Sequence, residues 1–285
     1  MRNVATITWL TFHEAWRRWM VLIALAMGVL FILLYATGVA FILDEATKAM
    51  ARQGLRNIPV PPEAAGFLLL AGLYVVHFLT IMLAIFAAID AISGEIGSHT
   101  IQTIVTKPIR RTEVVLGKWL GYAAMLVLYI GLLTGGVLGT IHFLLHYDPP
   151  NALPAVGLFV LNALALLSLS LLLGTRFSTL TNGVALFMLY GLAFMGSWVE
   201  QIGSVLNADA AVRLGQVTSW VLPVETLWRR VAYMLEPPPS ALMGGRIESP
   251  FSAISVPPES MIPYTAAYAV VMLLLAMWAF SRRDL

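Results

Sequence analysis

Six stretches of this chain run without a single Asp, Glu, Lys or Arg, covering residues 19–43, 64–89, 119–147, 149–175, 177–199 and 260–281, each at least 22 residues long. About 20 apolar residues at a helical rise of 1.5 Å cross a hydrocarbon core of roughly 30 Å. Each stretch therefore predicts a membrane-spanning helix, with the spans at about 19–43, 64–89, 119–145, 154–175, 183–205 and 261–280. Barrel strands alternate apolar and polar positions over about 10 residues, whereas these stretches are apolar throughout, so helices are implied. The expected fold is all-α, a polytopic bundle forming one transmembrane domain over residues 1–285.

A different pattern governs the connecting segments. Ala5, Trp9, Phe12, Trp16 and Trp19 recur at alternating steps of four and three, one face of a helix, with Arg2, Glu14, Arg17 and Arg18 around it. This predicts an amphipathic helix lying in the membrane interface, where Trp is favoured, ahead of the first span. Pro59, Pro61 and Pro62 close the first outer connection. In the third span Gly131, Gly135 and Gly139 put a small residue at every fourth position, a packing face that lets another helix approach closely. The outer segment 206–260 reads mostly as loop, except where Pro223 opens and Pro237, Pro238 and Pro239 end a short helix. Val224, Leu227, Trp228, Val231 and Leu235 share one face of it, and Glu225 and Arg229 make an i,i+4 pair on another. That helix is expected to lie on, or dip into, the outer leaflet.

Composition agrees with the pattern: 59% of residues are hydrophobic, only 11% are charged, and the mean hydropathy is +0.84. An even number of spans puts both termini on one side together with loops 90–118 and 175–182. That side carries ten of the seventeen basic residues, against seven basic and ten acidic residues opposite. The positive-inside bias assigns it to the cytoplasm, making this a multi-pass protein of the cell (cytoplasmic) membrane surrounded by membrane lipids. The first window, at 25 residues, is too long for a signal-peptide core of about 7 to 15. The absence of cysteine excludes disulfides, thiolate catalysis and thiolate metal ligands. No nucleic-acid partner is expected.

Little in the chain points to chemistry of its own. No glycine-rich phosphate loop ending in Gly-Lys-Ser or Gly-Lys-Thr is present, so ATP is not held in that manner, and no His-Glu-x-x-His metal motif occurs. His142 and His146 stand four apart, a spacing that could supply two metal ligands, but no Cys or carboxylate cluster accompanies them and no metal site is assigned. The thirteen Met residues are scattered, as apolar filler is. His77 in the second span and Glu200 in the fifth are costly in hydrocarbon and should face the bundle or a wet cavity. Asn162, Ser168 and Ser170 could join them there or hydrogen-bond between helices. His77, Asn162 and Glu200 are the candidate pathway residues. Proton coupling through His77 or Glu200 would describe a secondary transporter, and pairing His77 with Glu200 would describe a membrane-embedded enzyme.

The most patterned segment is the connection 90–118. Ile101, Ile104 and Val105 lie at helical spacing and are ended by Lys107 and Pro108, and a second amphipathic run leads into the third span. A loop that only connected two spans would not need two such helices; a basic loop that merely fixes topology is the alternative that composition leaves open. The order of Glu95, Gly97, Ser98, Thr100, the apolar run, Pro108, Arg111, Gly117 and Lys118 resembles the loop between the second and third helices of type-2, exporter-type ABC transporter permeases. The resemblance extends over the chain, through the N-terminal segment with Phe12, Glu14 and Arg17, the short helix after Leu222 and Pro223, and the terminal Phe280, Arg282 and Arg283. It looks closest to single-domain bacterial permeases encoded with nitrous oxide reductase maturation systems. His99 departs from any pattern that can be claimed for the run.

The resemblance implies a non-catalytic subunit that binds no cofactor itself. A cytoplasmic ABC ATPase subunit carries the ATP and Mg and docks on a coupling helix within about 94–111. A second permease chain, as homodimer or heterodimer, completes the path. Its cargo would be an amphiphile or lipid-like molecule, a drug, or a maturation factor. Glu95 is also placed to pair with Arg17 or Arg18.

Overall fold

The computed structural model describes residues 2–52, 60–94, 110–236, 251 and 253–283. Among them there is no strand. The helices are α1 (Arg2–Arg17), α2 (Trp19–Arg52), α3 (Pro62–Ala88), α4 (Arg111–Leu145), α5 (Ala152–Gly174), α6 (Thr179–Val205), α7 (Asp209–Val221), α8 (Val224–Leu235) and α9 (Met261–Ser281). Six of them, α2 to α6 and α9, are long and apolar enough to cross a membrane. The chain is an all-helical, polytopic membrane protein. Helices outgrow their charge-free windows, most of all α2, which continues through Asp44 and Glu45 to Arg52, and α4, which begins at Arg111. Charged residues continue a helix readily once it has left the hydrocarbon, so the windows mark the apolar part of a helix and not its length.

The sequence sets these boundaries locally. Pro62 sits at the first helical position of α3, where its missing N–H costs nothing. His146, at φ 53°, ends α4 in a left-handed turn, and its N–H bonds His142 O at 3.0 Å. The Ser178 side chain caps α6 by accepting from Thr181 N.

The helix α1 turns Ile7, Thr11 and Ala15 onto the first turns of α4, where Gly117 and Gly121 leave room. A Cβ built on Gly117 would lie 2.7 Å from Ile7 Cβ, and one on Gly121 would lie 2.8 Å from Thr11 Cβ. Of the predicted aromatic face, Trp9, Trp16 and Trp19 are exposed, while Phe12 packs against the core. An amphipathic helix seated by one side on the protein and bearing Trp on the other suits an interface position. The central helices α3, α4 and α5 carry most of the core, including Leu69, Ile81, Tyr122, Leu126, Ile130 and Phe159. Around them α2 docks through Gly28 and Gly136 on α4, and Gly72 on α3 lies against the Tyr35 ring.

The segment between the fifth and sixth spans departs from the expectation of one helix at the outer surface. Its described residues hold two helices, α7 and α8, joined by a tight turn at Leu222 and Pro223. The first runs back down α6: Gly203 lies against Ala211, Gly196 against Thr218, and Gly215 against Glu200. The second starts beside Asn162, ten residues and about 15 Å along α5, and climbs outward again. Val224, Leu227, Trp228, Val231, Ala232 and Leu235 are all buried, so α8 belongs to the core and its hairpin re-enters the bundle.

Backbone approach fixes the packing of α7 on α6. A Cβ on Gly215 would fall 2.4 Å from Glu200 Cβ and 2.5 Å from the Gly196 carbonyl oxygen, which cannot move aside. Gly215→Ala should therefore lower stability by about 1–3 kcal/mol. Gly135→Ala, whose new methyl meets nothing within 4 Å among the described residues, should not lower the isolated chain's stability. Thermal unfolding of the two variants in detergent checks the contrast.

Candidate functional site

The hairpin carries charge into the middle of the bundle. Glu225, in the first turn of α8, places Oε1 3.3 Å from Nε2 of His77 on α3, and the two side chains are 6% and 3% exposed. Asn162 of α5 joins them, with Nδ2 3.4 Å from His77 Nδ1 and donating to Val224 O at 3.1 Å. The Tyr190 side chain of α6 lies close to Glu225. The Trp228 ring stacks on the imidazole at 5.2 Å between centroids, and Phe159 packs at 6.2 Å. One turn along α8, Arg229 Nη2 donates to Glu200 Oε2 at 2.7 Å, while Ser255 Oγ donates to the other carboxylate oxygen at 3.2 Å.

The expected Glu225–Arg229 pair along one helix therefore gives way to two pairs between helices. Each of these charges is buried and needs a partner in hydrogen-bonding geometry, and His77 and Glu200 would otherwise stand alone in the core. Of the candidate pathway residues, His77 and Asn162 come together, and Glu200 sits in the other pair. His77 and Glu200 thus do not form the dyad a hydrolase would need. Ser168 accepts from Trp119 Nε1 at 2.9 Å and so holds α4 to α5. Glu225 was read on the sequence as part of a surface pair; its Pro223-led helix signalled the element but not its depth.

A second polar constellation gathers at the end of the bundle that bears both termini. Arg18, in the break between α1 and α2, donates to Glu14 at 2.7 Å and to Asp90 at 2.8 Å. Burial works against that guanidinium, but Tyr122, Glu14 and Asp90 more than offset it and raise its pKa above the ordinary value. Lys118 Nζ, buried in α4, donates to Ala91 O at 2.8 Å. Asn182 of α6 donates to Ile89 O at 3.0 Å and to Ser170 O at 3.1 Å. Arg111 Nη1 reaches Arg283 O, and Arg283 Nη1 reaches Thr175 O. The described part of the 90–118 connection is thus tied to the ends of α1, α3, α4, α5, α6 and α9. Glu95, Gly97, Ser98, Thr100, Ile101, Ile104 and Pro108 lie outside the described residues.

Among the described residues nothing fills the Gly131, Gly135 and Gly139 face: an added Cβ meets nothing within 4 Å at the first two, and at Gly139 only Phe143 of the same helix at 4.0 Å. His142 bonds Asp148 at 2.7 Å and His146 forms the helix cap, so local roles account for both. Among the described residues no group of three or more His, Cys, Asp or Glu is placed to hold a metal ion.

Removing one member of a buried ion pair leaves the other uncompensated. Glu200→Leu should destabilise the chain by about 3–5 kcal/mol, and the double variant with Arg229→Leu should cost less than the single one. A double-mutant cycle read by unfolding in detergent measures this, and strict additivity would contradict the pairing.

No curated protein matches the sequence significantly. The family model for ABC-2 family transporter proteins matches residues 5–285, nearly the whole chain. With six apolar helices of spanning length and a match over the whole bundle, this chain belongs to the ABC-2 transporter family, as a membrane-spanning transport component.

Proposed function

We propose that this chain is the permease subunit of an ATP-driven exporter, worked by a separate cytoplasmic ATPase that carries the ATP and Mg. The observation that carries the reading is the polar lattice at the terminus-bearing end. Arg18, Asp90, Arg111, Lys118, Asn182 and Arg283 bind the ends of six helices together, at the two points of the chain, Asp90 and Arg111, between which the connection runs. A displacement delivered to that connection is passed to the spans as a group, whereas a flexible joint would absorb it. ATP binding closes the ATPase pair, and the docking surface favours different arrangements of the helices with and without nucleotide.

Glu95, Gly97, Ser98, Thr100, Ile101, Ile104 and Pro108 form the docking segment in this reading, with Arg111 and Lys118 as its anchors. The basic residues of that end support a cytoplasmic location for both termini, in the cytoplasmic membrane. The open Gly131, Gly135 and Gly139 face supports a second permease chain lying alongside, because small residues let helix backbones meet closely in lipid. Exposed Leu180, Val184, Met188, Leu192 and Met195 of α6 form a further apolar stripe for such a partner or for lipid. Membership of the ABC-2 family favours this reading over an ion-coupled secondary transporter.

Glu95→Arg, or deletion of residues 101–106, should abolish co-purification with the ATPase while membrane insertion survives. Intact ATPase binding in both variants would remove the coupling role.

A further inference from the structure

We propose that the groove between α1 and α4 binds one phospholipid from the leaflet on the terminus-bearing side, with a primary-ammonium headgroup on Glu113 and an acyl chain laid along α4. The inference concerns a ligand held by this chain alone and stands apart from any ATPase, so it is tested on the isolated chain.

The helices α1 and α4 run side by side in the same direction. Asn3 Nδ2 donates to Glu113 Oε2 at 3.3 Å, Ile7 lies against Gly117, and Thr11 lies against Gly121, so the contacts recur every four residues on both helices. Beside this seam runs an open groove of about 1040 Å³. Ala5, Trp9 and Phe12, from the aromatic face of α1, form one wall. The other wall follows α4 through Leu116, Leu120, Ala124 and Val127, at steps of four, four and three, with Glu113 at one end and Leu128 at the other. Trp9, Leu120, Val127 and Leu128 are exposed, and no described residue covers them.

Length and charge identify the occupant. Glu113 and Leu128 are 15 residues apart on one helix, about 22 Å at the helical rise. Since α4 runs Arg111–Leu145, Leu128 is its middle residue, and half a bilayer with its headgroups is likewise about 20–22 Å thick. The groove therefore matches one leaflet, with Glu113 at headgroup level. From Leu116 to Leu128 its α4 wall offers no polar side chain, so hydrocarbon fits there and a polar ligand does not. Glu113 is the one charged residue in the lining. It accepts from Asn3 and, at 3.3 Å, from the Arg110 backbone N–H, and both bonds fall on Oε2. Oε1 is left without a partner among the described residues, so the carboxylate can take an ammonium that donates N–H bonds. A quaternary choline headgroup has no such hydrogen, and an anionic headgroup is repelled.

The test titrates the chain in detergent with phosphatidylethanolamine, phosphatidylcholine and phosphatidylglycerol of identical acyl chains. Native mass spectrometry counts bound lipid, and thermal unfolding follows Tm. One phosphatidylethanolamine should bind per chain and raise Tm saturably, at a concentration about fivefold below that needed for the other two, the scale of one exposed charge-assisted contact. Glu113→Gln should erase the preference among headgroups, and Glu113→Lys should turn it toward phosphatidylglycerol. Ala124→Phe, at an exposed position in the wall, should reduce binding of all three lipids while leaving the lipid-free Tm unchanged. Equal curves for the three lipids in the parent, or a preference that survives Glu113→Gln, overturn the proposal. Lipid binding that Ala124→Phe leaves intact overturns the groove as its place. A parent that ignores lipid but loses a dimer on Ala124→Phe assigns the groove to a second copy of the chain and equally overturns it.

Discussion

A charge in the middle of an apolar bundle has to be met by an opposite charge or by a proton. Glu200, Arg229, Glu225 and His77 all sit there, and the outer half of the molecule is arranged around their pairing. Desolvating an ion costs several kcal/mol, so a hairpin bearing Glu225 and Arg229 is stable only where α3 and α6 present His77 and Glu200. Sliding it by one turn, about 5.4 Å, would break both pairs at once. The hairpin therefore has one docked position, and leaving it requires a change at one of those four groups.

The two ends of the bundle are held by different means. At the terminus-bearing end, long basic side chains reach the backbone carbonyls of Ala91, Thr175 and Arg283 and satisfy helix ends that would otherwise face no donor. In the outer half, α6 and α7 meet at backbone distance through Gly196, Gly203 and Gly215. Close backbone contact resists sliding, whereas a lattice of side chains can be re-paired.

The spans were legible because hydrocarbon thickness imposes a minimum apolar length, and only helices of that length leave six charge-free windows. The amphipathic α1 was legible by its period, although of its aromatic face Phe12 packs against the core while Trp9, Trp16 and Trp19 are exposed. The depth of α8 was not legible. Its i,i+4 pattern at Glu225 and Arg229 suits a surface helix, and the partners that pull it inward lie 148 residues away at His77 and 29 away at Glu200. The helix α7 was hidden for a similar reason, since Gly215 and Ser219 look like loop residues until Gly196 and Glu200 lie against them. Small-residue spacing showed which surfaces allow close approach, not which are used within the chain. Gly117 and Gly121, also four apart, receive α1, while Gly131, Gly135 and Gly139 receive no other helix among the described residues.

The central claim is that motion enters through the basic end, at the base of the connection that Arg18 and Asp90 tie down. Hydrolysis by the ATPase proposed as its partner, measured in liposomes with and without this chain, tests it. The account predicts that hydrolysis depends on this chain, and that Asp90→Ala, which releases Arg18 from the end of α3, leaves the ATPase bound but hydrolysis no longer raised. Equal hydrolysis with and without the chain would contradict it.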